Sequence, residues 1–231
     1  PYDPNRRIIV MLHGLASSPE AWVELANEIL GDEALRQHYQ IWQVYYPTNM
    51  PVALNHAMIR RALGETLTHF DPSGQAPASS DLVLVGHSMG GVIARLMVSS
   101  TDQSLVQLAA DHSRLTPQQI RRIDPMLRFE PFPNVSSAIF IAAPHRGTSV
   151  AGGRLGRWMA GFIRFPITVL EELAHTLAPN AAASSRESLA TIPNSVNNLD
   201  ENDPFVRTAA GFPISSQVRY HSIVAQANSE V

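Results

Sequence analysis

Apolar residues fall along the chain in two alternating patterns, short unbroken runs and longer stretches with helical spacing. Ile8-Ile9-Val10-Met11-Leu12 and Leu82-Val83-Leu84-Val85 have no polar interruption, as strands buried on both faces require. Ile41 to Tyr46 is a third predicted strand, stopped by Pro47, and Ser137 to Ala143 is a fourth. Val218 to Ala225 alternates and then fills in as the last. Between the runs the period lengthens. Ser17-Ser18-Pro19-Glu20 carries a helix start: a serine N-cap, proline at the first position and an acid in the first turn. Trp22, Leu25, Ala26, Ile29 and Leu30 then share one face, closed by Gly31. Pro51 to Phe70 predicts a long helix with Leu54, Met58, Ile59 and Leu63 inward, and Val92, Ile93, Leu96 and Met97 predict another directly after Gly91. Residues 71–80 and 193–212 predict loops, and polar 102–133 an insertion with a helix over 118–128. Such strand-helix alternation, with turns at strand carboxyl ends, predicts an α/β domain: a mostly parallel sheet flanked by helices, its site at those ends.

Composition narrows the partners. The 231 residues are 45% hydrophobic and 16% charged, which fits one domain over 1–231 with a substantial core. The net charge is −3 and all 17 cationic side chains are dispersed arginines, so neither a nucleic-acid partner nor membrane insertion of this segment is expected. The absence of cysteine excludes disulfides, thiolate catalysis and Cys-based metal sites. The histidines lack ligand spacing and the glycines lack a phosphate-binding pattern, so neither a metal nor a cofactor is expected.

The candidate chemistry lies at Gly86-His87-Ser88-Met89-Gly90-Gly91, between a buried strand and a helix. A sharp turn there holds the Ser88 hydroxyl at the end of the strand and above the free N–H groups of the helix N-terminus. The glycines allow the strained reversal and leave room beside it. A serine hydroxyl needs a base, a group that orients the base, and donors for the tetrahedral oxyanion. The N–H of Met89 is one candidate donor, and that of Leu15, after the His13-Gly14 turn, is the second. His13, before glycine at a strand end, is expected to brace this loop rather than titrate against the serine.

His13-Gly14-Leu15, then Gly86-His87-Ser88-Met89-Gly90-Gly91, then Pro144-His145-Arg146-Gly147, in that order, resemble the α/β-hydrolase superfamily in its bacterial lipase/esterase-like branch. The likeness runs from the start to about residue 150. It implies an α/β-hydrolase fold, Ser88 as nucleophile, Leu15 and Met89 as the oxyanion hole, and His13, His87 and His145 as pocket or loop support. The implied activity is hydrolysis of small-molecule or lipid carboxylic esters through an acyl-enzyme. An amidase, thioesterase or acyltransferase uses the same parts, and a non-catalytic module of this fold is the alternative in another class. The 193–195 and 203–205 segments and Tyr220-His221-Ser222-Ile223 resemble a bacterial hydrolase group often found as the C-terminal domain of a longer protein, exported or attached to the cell envelope.

In this family the acid and the base histidine follow late strands, in chain order Ser, acid, His. Only six residues follow Ala225, so the expectation is that the acid, the base, and a terminal strand and helix lie beyond Val231. The missing strand would leave an open sheet edge that promotes self-association. Within the segment, His145 is expected to be structural and His221 packed in its strand. Glu230 has little support, Asp200 and Asp203 read as loop residues, and 144–157 holds no acid. The bulky apolar residues from Leu155 to Leu177 place a cap or lid at 152–183, with ordinary core helices as the competing reading.

Overall fold

The computed structural model describes residues 2–101, 128–146, 202 and 204–224. Five strands, β1 (Arg7–Leu12), β2 (Tyr39–Val44), β3 (Leu82–His87), β4 (Val135–Ile141) and β5 (Arg219–Ile223), form one sheet of order β2-β1-β3-β4-β5. Every neighbouring pair is parallel. The α-helices among the described residues are α1 (Val23–Gly31), α2 (Glu33–His38), α3 (Val52–Phe70), α4 (Met89–Met97) and α5 (Pro204–Ala209). The expected cap at 152–183 lies outside the described residues.

Successive side chains of a strand point to opposite faces, and here both faces are covered. Ile8, Val10, Leu12, Leu82 and Leu84 share a core with Val52, Ile59 and Leu63 of α3 and with Val92, Ile93, Leu96 and Met97 of α4. Ile9, Met11 and Val85 face the other way, onto Trp22 and the half-buried Leu25 and Ile29 of α1. That double coverage is why β1 and β3 are unbroken apolar runs in the sequence. The order also fixes a direction change: the chain goes from β1 to β2 on one side, then returns past β1 to β3 on the other. Connections that diverge in this way open a crevice at the carboxyl ends of β1 and β3.

Several local expectations differ from what forms. A 3-10 turn, Pro19–Trp22, precedes α1, and the Ser18 hydroxyl donates to the Glu20 carboxylate rather than capping the backbone. Asp32 ends α1 and opens α2, its carboxylate accepting from the Leu35 N–H at 2.9 Å. On α3, Met58 is 44% exposed and Leu54 half-buried, whereas the polar Asn55 and His56 turn inward beside Ile59 and Leu63. Within the predicted loop 193–212, residues Pro204–Ala209 form a helix that buries Val206 and Ala209. Arg95 of α4 anchors the end of that helix by donating to the carbonyls of Ala209, Ala210 and Phe212 at 2.9–3.1 Å, a cation where helix carbonyls lack partners. All five residues of β5 are exposed, so His221 is not packed as expected. It sits on the end strand of the described sheet, which has a neighbour on one side only.

His56 makes a pH prediction. Its ring is 2% exposed, stands edge-on to Phe129 (4.6 Å between centroids, 89°), and leaves Nε2 without a partner. Burial, and then the charge on Arg60, push its pKa from 6.5 down to about 3. The unfolded chain therefore binds a proton near its ordinary pKa that the folded chain does not, so stability falls as pH drops from about 6.5 toward about 3. His56→Leu is expected to flatten that part of the slope in urea midpoints taken between about pH 4 and 7. An unchanged slope would remove His56 as its source.

Candidate active site

The register Leu12↔Gly86 sets the His13-Gly14-Leu15 turn beside His87-Ser88-Met89. A Cβ on Gly14 would lie 3.1 Å from His87 Nδ1 and 3.2 Å from Ser88 Cβ, so glycine is what lets the two turns approach this closely. Ser88 adopts φ 52° and ψ −121°, a mirror-image extended conformation that a residue with a Cβ adopts only at a cost. Its surroundings hold it there. The Ser88 N–H donates to the Ile141 carbonyl at 2.9 Å, and the Ser88 carbonyl accepts from Gly91 N–H (2.9 Å) and Val92 N–H (3.3 Å). Although Ser88 occupies the N-cap position of α4, its hydroxyl makes no capping bond. The strained residue is thus the serine itself, and the glycines around it have ordinary φ but no room for a side chain.

Met89 is the first residue of α4 and is fully buried; an amide at that position has no partner within its own helix. Leu15 is half-buried against the main core. Ala16, which follows it, is also left-handed at φ 50°. Its N–H donates to Thr48 Oγ1 at 3.1 Å.

The three histidines differ in their surroundings. His13 is fully buried, donates from Nδ1 to the Gly14 carbonyl at 3.1 Å, and leaves Nε2 unpartnered. It stacks on Tyr46 (4.3 Å, 17°), whose hydroxyl donates back to the His13 carbonyl. Burial pushes the His13 pKa down and the Tyr46 pKa up, so both are neutral at pH 7. His87 is exposed beside Gly14. His145 packs edge-on against Phe140 (4.9 Å, 82°), and its backbone N–H donates to the Ala143 carbonyl at 2.9 Å. Its buried Nδ1 has no partner among the described residues. Burial, and then the charge on Arg95, lower its pKa to about 4.

Sequence reasoning missed Tyr46, Thr48 and Arg95, which reach backbone groups of distant segments, and Asn55, which bonds carbonyls of the loop just before its own helix. A polar residue bonded to a distant carbonyl or amide leaves no trace in periodicity; the local sign is the Pro47–Met50 turn that follows β2. Among the described residues no group of His, Asp and Glu could hold a metal ion, and no helix is long and apolar enough to cross a membrane. A groove of about 810 Å³ between α3 and residues 128–134 lies toward the amino-terminal ends of β3 and β4, and shares no residue with the Ser88 turn.

A parallel sheet wound on both faces, with a left-handed serine on the β3–α4 turn, defines the α/β-hydrolase fold. Residues 9–224 match the Alpha/beta hydrolase family, and the chain belongs to it. No curated protein matches the sequence. Among solved structures, phospholipase PlaB from Legionella pneumophila in complex with thio-NAD is similar at 11% identity and TM-score 0.52, covering 96% of this chain and 38% of that one. A metagenomic carboxyl esterase is similar at 17% identity and TM-score 0.50, over 97% of this chain and 51% of that one. The mature lipase BlEst2 from Bacillus licheniformis is 18% identical with TM-score 0.48, over 96% of this chain and 66% of that one. At such identities the likeness is one of fold, and this chain spans at most 66% of the length of these three proteins.

Proposed function

We propose that the chain carries the nucleophile of a serine hydrolase of the esterase or lipase type, in the bacterial branch that its His-Gly-Leu, Gly-His-Ser-Met-Gly-Gly and Pro-His-Arg-Gly motifs resemble. The observation that carries this reading is the backbone of Ser88: a conformation unfavourable for serine, at a strand carboxyl end, with its hydroxyl unused in capping. Strain of this kind persists where the surrounding structure enforces it, and it clusters at functional sites. That the similar structures are a carboxyl esterase and a phospholipase supports ester chemistry.

In this mechanism Ser88 Oγ attacks the ester carbonyl carbon while an imidazole takes its proton. The tetrahedral oxyanion is received by the Met89 and Leu15 amides. Collapse expels the alcohol, which leaves with that proton, and water then hydrolyses the acyl-enzyme. The neutral His13 braces the Leu15 turn, His87 lines the exposed side of the pocket, and His145 supports the β4 end. The base and its carboxylate are assigned to residues outside the described set. The 152–183 segment is assigned the role of a cap within a single domain.

The test is covalent capture. A fluorophosphonate should react with the full-length protein by forming an Oγ–P bond and releasing fluoride, and tryptic mass spectrometry should place the adduct on the peptide containing Ser88. A folded full-length protein that stays unlabelled, or is labelled on another residue, would overturn the proposal.

A further inference from the structure

The loop between β2 and α3 sits on the turn that carries the second oxyanion donor, and two of its side chains, Tyr46 and Thr48, bond that turn's backbone. A trans peptide is planar, with its C=O and N–H pointing in opposite directions. The Gly14 carbonyl and the Leu15 N–H belong to the same peptide, so the bond from His13 Nδ1 to the Gly14 carbonyl also aims the Leu15 N–H away from His13. The next peptide carries the Ala16 N–H, which donates to Thr48 Oγ1 at 3.1 Å across 32 residues of sequence. Both peptide planes that meet at the Leu15 Cα are therefore pinned by side chains.

The pins are themselves held. Tyr46 stacks on the His13 ring and donates to the His13 carbonyl. Asn55, fully buried in the first turn of α3, donates from Nδ2 to the carbonyls of Pro47 (3.0 Å) and Met50 (3.2 Å), which bracket Thr48. An amide buried this deeply is retained where its bonds fix a conformation, and this one fixes the two ends of the segment holding Thr48. Ala16 adds the reason that a clamp is needed. At φ 50° a residue with a Cβ is in an unfavourable conformation, and without an external bond the turn would relax and rotate the Leu15 peptide.

We infer that Thr48 is a positioning residue for the reaction: its hydroxyl accepts from Ala16 and thereby holds the Leu15 amide aimed at the developing oxyanion. This rests on the reading of Ser88 as nucleophile and Leu15 as oxyanion donor. Thr48 touches no reacting atom in this role, so its loss should lower turnover and leave substrate affinity nearly alone.

The test compares Thr48→Val, which keeps the shape and loses the acceptor, with Thr48→Ser, which keeps the acceptor, in the full-length protein acting on a soluble short-chain ester. Thr48→Val is expected to lower kcat by about ten- to a hundredfold with KM within about twofold, because a displaced donor costs transition-state and not ground-state binding. Thr48→Ser should recover most of kcat. If Thr48→Val does not fold, Thr48→Ala removes the same acceptor without a branched side chain and is read in its place. Wild-type protein that reacts at Ser88 with a fluorophosphonate, together with an acceptor-free folded variant of unchanged kcat, would overturn the clamp alone. A wild-type protein that does not react at Ser88 would overturn the reading beneath it. A fall in kcat that serine does not rescue would assign Thr48 to packing and overturn the clamp.

Discussion

The Ser88→Gly variant is expected to lose ester turnover by about five to six orders of magnitude while unfolding at a higher urea concentration than the wild-type protein. The two effects come from one backbone conformation. At φ 52° and ψ −121° a residue with a Cβ sits in a region that costs roughly 1–3 kcal/mol, and glycine reaches it without that cost. Glycine also gives the unfolded chain extra freedom, which offsets roughly 0.5–1 kcal/mol of the gain and leaves a net stabilisation of about 1 kcal/mol. Ser88→Ala separates the terms: it removes the same nucleophile and keeps the Cβ, so it should lose turnover as fully with a midpoint near wild type. Turnover measured beside urea midpoints for the three proteins decides the matter. Equal midpoints for glycine and alanine would limit the strain to the roughly 0.5–1 kcal/mol that the freedom of glycine in the unfolded chain offsets, and retained turnover in either would remove Ser88 from the reaction.

What could be seen in advance was what is local. β1 and β3 are legible because both faces of those strands are buried, and the Ser88 turn is legible because a buried run, a turn and an amphipathic helix follow one another without a gap. His13, Leu15, His87 and Met89 come with it, since each is within three residues of a strand end. The inner face of α3 holds Ile59 and Leu63 as expected but was misread at Leu54 and Met58, for a physical reason. Asn55 and His56 take core positions, the first because its amide meets two loop carbonyls and the second because its neutral ring packs on Phe129, whereas Met58 is left outside. Helix α2 buries none of its residues, so hydrophobic periodicity had nothing to reveal; its sequence signs are Asp32 capping Leu35, Glu33 in the first turn, and Arg36 and His38 in the last. Helix α5 is one and a half turns anchored by Arg95, whose acceptor carbonyls lie 114 to 117 residues further along the chain. Bonds of that range are set by the strand order, which a single sequence does not display.

The second large effect is structural and concerns Gly90. A Cβ built there would lie 2.5 Å from the His13 carbonyl oxygen and 2.6 Å from the Leu12 carbonyl carbon, and nearer still to the Leu12 oxygen. These are backbone atoms at the end of β1, paired with β2 and β3 and continuous with the Leu15 turn, so no rotamer change relieves the overlap. Gly90→Ala should therefore destabilise the protein by about 3 kcal/mol or more, enough to leave a domain of ordinary stability marginal. Gly91 provides the contrast. Its Cβ would meet the Ala143 side chain at 2.5 Å and the Gly86 carbonyl oxygen at 3.0 Å, so the worst obstacle is a methyl group that can be deleted. Gly91→Ala should be rescued in part by Ala143→Gly, whereas no side-chain deletion should rescue Gly90→Ala. Urea midpoints of the two single variants and the double variant check this. A Gly90→Ala protein with a wild-type midpoint would mean that α4 can draw back from β1, and with it that Ser88 is held beside the Leu15 turn far less firmly than the interlocked glycines imply.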